Sequence, residues 1–141
     1  AIDGFIELAG KKMRPGSAVP LREQEQTQAM VGRADTAVRA ARALLVDAME
    51  ELMAANDPGG ARLLQARANF RAACANAAES AVRVVNWIAA GAGTAAIFEV
   101  GTLERSVRDV QAAAKHVAMT PNSYAVAGRL SLGLEPGTTR I

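Results

Sequence analysis

Apolar and polar positions follow a helical period along most of this chain. Over residues 22–55, Met30, Ala34, Ala37, Ala41, Leu44, Ala48 and Leu52 recur at steps of three and four, the mark of one buried stripe on a long helix. "NDPGG" at 56–60 breaks the run. A second long helix is expected over 61–90, with Leu63, Ala66, Phe70, Ala73, Ala77, Ala81, Val84 and Ile88 on one face. Two long helices joined by so short a turn lie antiparallel. Before them, "AIDGFIELAGKK" places Ile2, Phe5, Ile6 and Ala9 on one face, with lysines gathered at its end. The proline- and glycine-containing segment 13–21 then forms a connecting loop.

The last third predicts two further helices. Small residues at 91–101, "GAGTAAIFEVG", end the second long helix. A helix over about 102–118 presents Leu103, Val107, Val110, Ala114 and Val117 to the core. Thr120 followed by Pro121 reads as an N-cap and first helical position, opening a shorter helix to about Leu132. "GLEPGTTRI" is a tail. No stretch alternates as a strand does, so the expected fold is all-α, an up-down helical bundle.

Composition sharpens this picture. The 141 residues suit one domain; half are hydrophobic but only 4% aromatic, and alanine supplies much of the apolar count. Alanine favours helix and lets helices approach closely. The net charge of +2 comes from 16 basic and 14 acidic residues spread along the chain. With no basic run interleaved with aromatics, nucleic-acid binding is not expected. No segment is as long and apolar as a membrane span, no secretory signal is legible, and the expectation is a cytoplasmic protein. The single cysteine, Cys74, has no internal partner and reads as a buried, inert thiol. Nucleotide loops and metal motifs are absent, and no metal site is expected.

The helix over 102–118 also carries polar chemistry. At 100° per residue, Arg105, Asp109, Ala112 and His116 fall within about 60° of one another, away from Leu103, Val107 and Val110, with Arg108 nearby. Arg105 and Asp109 are spaced to pair, whereas His116 would stand ~10 Å beyond Asp109 on an unbent helix. Spacing alone favours a solvated face bearing an ion pair worth under ~1 kcal/mol. The alternative is the wall of a site, with His116 as acid, base or donor and the arginines holding an anion. Imidazole suits that work because it exchanges protons near neutral pH.

The segment "LERSVRDVQAAAKHVAMTPNSYAVAGRLSLGLEP", residues 103–136, resembles the C-terminal stretch of the acyl-CoA dehydrogenase superfamily, above all the type 2 C-terminal domain of flavin-dependent hydroxylases and dehydrogenase-like proteins. The matching positions are Leu103, Arg105, Arg108, Asp109, His116, Gly128, Leu132 and Gly133. A weaker likeness runs back through residues 21–45. The resemblance implies a four-helix-type C-terminal bundle, here a fragment spanning 1–141 of a longer flavoprotein without its N-terminal helical and middle β domains. The abrupt start, without an initiator methionine, accords with that expectation. FAD or FMN and a small-molecule substrate would lie between the domains. His116 would face flavin or substrate, Arg105, Arg108 and Asp109 would contact or support the cofactor, and the loop with Gly91, Gly93 and Thr94 would lie near it.

The superfamily's two branches make different demands. A dehydrogenase needs a carboxylate base, often within an aromatic-Glu-Gly-Thr motif; here "FEVGT" at 98–102 inserts Val100 after Glu99, which argues against Glu99 as that base. A hydroxylase takes reduced flavin from a partner reductase, and a histidine assists its reaction with oxygen or deprotonates a phenolic substrate. The Arg-Asp…His pattern leans toward the hydroxylase. Either parent would be an oxidoreductase, with this segment alone inactive. The resemblance also implies a homo-oligomer, a dimer or tetramer. A stand-alone helical interaction or oligomerisation module without catalysis is the alternative.

Overall fold

The computed structural model describes residues 1–98 and 102–139. Its helices are α1 (Ile2–Lys11), α2 (Glu25–Ala55), α3 (Gly60–Ala92), α4 (Ala95–Phe98), α5 (Thr102–Ala113) and α6 (Asn122–Ser131). Single 3-10 turns precede α2 at Leu21–Glu23 and α6 at Val117–Met119. Among the described residues the only extended pairing is an isolated bridge between Met13 and Pro20. The fold is all-α, as the periodicity predicts.

The chain divides into two compact units, residues 1–39 with 81–112 and residues 40–80 with 113–141. In the first, Phe5, Ala9, Leu21, Ala34, Val84, Ile88, Ala92, Ala96 and Leu103 form one buried cluster. Met30 meets Gly91 and the Arg33 guanidinium lies over the Trp87 ring, so the start of α2 runs beside the end of α3, antiparallel. A Cβ on Gly91 would stand 2.6 Å from the Met30 thioether and 3.3 Å from Phe5. Close packing therefore accounts for that glycine. Gly93 ends α3 in the left-handed conformation, φ 61°, its N–H donating to the carbonyls of Ala89 and Ala90. The Lys12 ammonium donates to the Ala92 carbonyl at 2.7 Å, a cation at the negative end of the helix.

The second unit has a thinner core. Its buried side chains are Ala41, Ala48 and Ala55 from α2, Ala66, Ala68, Ala73, Ala75 and Ser80 from α3, and Ser123 and Val126 from α6. Ala66 and Ala73 lie on the opposite face of α3 from Ala68 and Ala75 at 100° per residue, so α3 is covered on two sides here. Asn69 donates to the Glu51 carboxylate across to α2, and Tyr124 of α6 donates to Glu79 at 3.1 Å. The three large side chains buried most completely, Phe5, Leu21 and Ile88, all belong to the first unit.

Several expectations shift. On α1 the buried pair is Phe5 and Ala9, while Ile6 is 52% exposed, because the hydrophobic cluster covers a narrower stripe than the apolar positions offer. On α2 the buried positions are Thr27, Ala34, Ala41, Ala48 and Ala55, a strict seven-residue repeat, and Leu44 is exposed. The loop expected from Gly91 begins only at Gly93, and α4 forms within it. Cys74 is half-buried rather than enclosed; desolvation raises its thiol pKa, with the Arg71 charge opposing.

Phe5→Ala should lower unfolding free energy by about 3–5 kcal/mol, and Ile6→Ala by under about 1 kcal/mol, read from urea denaturation of both variants. A raised pKa leaves less thiolate at a given pH. Iodoacetamide should therefore alkylate Cys74 more slowly in the native chain than in the urea-unfolded chain, and the gap should close as pH rises past the native thiol's pKa.

Candidate functional site

Helix α5 carries two i,i+4 ion pairs on its solvent side. Arg105 Nε donates to Asp109 Oδ2 at 3.3 Å, with 76% and 61% of the two side chains exposed. Arg108 Nη1 donates to Glu104 Oε1 at 3.2 Å, also in the open. Such pairs are held weakly, at under ~1 kcal/mol, so either guanidinium is free to re-pair with a stronger anion. Glu104 is absent from the residues singled out in the sequence. Its spacing four residues before Arg108 is the signal that identifies it. Leu103 is buried and Val107 and Val110 are half-buried, which turns the charged face outward.

His116 does not continue that face. Helix α5 ends at Ala113 rather than near Ala118, and His116 takes an extended conformation, φ −63° and ψ 139°. Its ring Nδ1 accepts from the Ala118 N–H at 3.2 Å, so the imidazole caps the 3-10 turn that follows. A side chain that satisfies a backbone donor two residues on competes with continued helix. Downstream, Thr120 is extended as a residue before proline must be, which shortens the room for helix further. The consequence reaches Val117, assigned to the core by periodicity but 57% exposed.

The cap has a chemical result. With Nδ1 accepting, the neutral ring carries its proton on Nε2, and His116 is exposed, so an Nε2–H donor faces outward. The backbone thereby selects one tautomer. Among the loop residues, Gly91 lies in the last turn of α3 against Met30 and Phe5, whereas Gly93 and Thr94 are exposed. Arg105, Arg108, Asp109, Gly91, Gly93 and Thr94 all belong to the first unit, and His116 belongs to the second. Glu99 and Val100 lie outside the described residues. No cluster of three metal-ligating side chains occurs among the described residues, and no helix there is long and apolar enough to cross a membrane.

Comparison with known families adds one finding. The family model described as "Acyl-CoA dehydrogenase, C-terminal domain" matches residues 1–121. The match takes in α1 to α5, the Arg105–Asp109 pair and His116, and stops before α6. No curated protein matches the sequence. With the family model covering most of its length and an all-α fold of matching kind, the chain belongs to the acyl-CoA dehydrogenase C-terminal domain family.

Proposed function

We propose that this chain is the C-terminal helical domain of a flavin-dependent oxidoreductase, FAD- or FMN-dependent, and that it supplies one wall of the flavin and substrate site. The family match over residues 1–121 carries this reading. The chain's own residues fit the part. Two guanidiniums held only by exposed carboxylates can take a phosphate in a planar, two-pronged grip. His116 presents a fixed Nε2–H.

The flavin, when bound, supplies the electron transfer to or from substrate. The chain's own residues bind and orient. Arg105 and Arg108 neutralise the cofactor's anionic tail, with Asp109 and Glu104 releasing them to it. Gly93 and Thr94 offer backbone and hydroxyl from the exposed turn that follows α3. His116 donates from Nε2 to an acceptor atom of flavin or substrate, and the Nδ1 cap holds the ring while it does so. With Nδ1 taken up by the Ala118 N–H, the neutral ring serves at Nε2 as a donor. The Arg-Asp…His arrangement favours a hydroxylase using reduced flavin from a partner reductase.

Self-association belongs to the same reading. In the second unit Val46, Met49 and Met53 of α2 fall within about 60° on one helical face and remain exposed, Met53 at 71%. An apolar face of this kind beside an alanine-lined core suits a second copy of the chain, in a dimer or tetramer.

His116→Ala in the longer parent protein should cut flavin-dependent turnover by about 10²–10⁴-fold with the fold intact by circular dichroism; unchanged turnover removes His116 from the chemistry. Arg105→Gln should weaken flavin binding about tenfold, as a lost charge-assisted bond does, read by flavin fluorescence titration. Met49→Glu with Met53→Glu should shift the chain to monomer in sedimentation velocity, and an unchanged distribution places the contact elsewhere.

A further inference from the structure

The residues that follow α6 in the second unit fold back on it. At the helix end the Gly133 N–H donates to the Leu130 carbonyl at 3.0 Å and the Leu134 N–H to the Arg129 carbonyl at 2.9 Å, a pair of bonds that reverses the chain. Arg129 Nε then donates to the Glu135 carbonyl at 2.7 Å. Two residues on, Gly137 takes a left-handed conformation, φ 74°, with its backbone against the same guanidinium. A Cβ there would stand 3.2 Å from Arg129 Nε. One side chain of α6 thus fastens the tail.

Helix and tail enclose a depression of about 230 Å³. Its floor is one face of α6, because Asn122, Ala125, Val126 and Arg129 follow the i, i+3, i+4, i+7 spacing. Pro136 and Gly137 form the facing wall. Ala125, Val126 and Pro136 make the middle apolar, and Arg129 puts a cation at one end. No carboxylate lines the depression, and Arg129 enters no ion pair, among the described residues. The bond to Glu135 takes only the Nε donor. Nη1 and Nη2 make no hydrogen bond among the described residues.

These features select a ligand. The two N–H groups on the Nη edge match the two oxygens of a carboxylate. One guanidinium balances one negative charge, whereas a phosphate dianion would keep a second charge uncompensated beside Ala125 and Val126. A floor without aromatic side chains suits a saturated hydrocarbon body. At ~30 Å³ for a water-sized group the space holds roughly eight such groups, less than a drug-sized ligand needs. From the Arg129 guanidinium held at the end of this apolar floor, we infer that the depression binds a short aliphatic monocarboxylate, of about four to six carbons. The carboxylate pairs with Nη1 and Nη2, and the hydrocarbon lies over Ala125 and Val126 against Pro136. None of the residues assigned above to flavin takes part, so the two readings stand or fall separately.

The test is a titration of the isotope-labelled chain with sodium butanoate at constant ionic strength, followed by amide NMR, on wild type, Arg129→Gln and Ala125→Leu. The expected result is a saturable shift of the Ala125, Val126 and Gly137 amides, with affinity reduced about tenfold in Arg129→Gln, as for a lost charge-assisted bond. Ala125 is exposed, so leucine there fills the depression and leaves the Arg129–Glu135 bond and the fold in place. Its affinity should also fall about tenfold, which keeps the inference testable where Arg129→Gln releases the tail. Acetate and butan-1-ol, run in parallel, separate the two halves of the ligand. Acetate should bind more weakly than butanoate, and the alcohol should give no saturable shift at these amides. No saturable shift with butanoate, or equal affinity in all three proteins, overturns the inference. So does acetate or the alcohol binding as tightly as butanoate.

Discussion

Burial of alanine along two long helices is the constraint on which the rest of this structure depends. Thr27, Ala34, Ala41, Ala48 and Ala55 present a small side chain once every seven residues of α2. On α3, Ala66, Ala73 and Ser80 repeat at the same interval. Small seam residues bring backbones near, where dispersion contacts are many but each buried side chain removes little apolar area from water. The first unit compensates by adding Phe5, Leu21 and Ile88 to its cluster. Among its described residues the second has no side chain of that size fully buried, and Val46, Met49 and Met53 on α2 are exposed.

That difference ties packing to function. A core built from alanine leaves Val46, Met49 and Met53 exposed on one face of α2, the face proposed above for a second copy. The charged face of α5 is the other side of the same economy. Leu103 alone is fully buried on that helix, so a single apolar anchor and two half-buried valines hold a segment whose remaining surface is arginine and carboxylate. Its ion pairs are exposed and weak, which suits groups that exchange one anion for another.

At the end of α5 a local bond overrides helical periodicity. The pattern from Arg105 to His116 is continuous in the sequence, and a straight helix would put all of it on one face. The imidazole instead accepts from the Ala118 N–H, and the chain leaves the helix after Ala113. The same bond that takes His116 off the stripe fixes its tautomer and its outward donor. Pattern reading treats a histidine as one more polar position and has no means of weighing a side chain that caps its own backbone.

The sequence by itself determined the five longer helices, their order and the antiparallel pairing of the two longest, because period, prolines and glycines are local signals that physics reads residue by residue. It also located the Arg105–Asp109 pair, since i,i+4 spacing is geometry, and it carried the family likeness that the match over 1–121 bears out. Only the tertiary structure decided which apolar residues are buried. Ile6, Leu44 and Val117 look like core by period and lie outside it, because burial depends on a neighbour arriving and an alanine seam leaves room for few large side chains. It alone showed Gly91 to be a packing residue against Met30 and Phe5. The depression at Arg129 likewise joins α6 to the tail, a juxtaposition that exists only once the residues after Leu132 fold back on the helix.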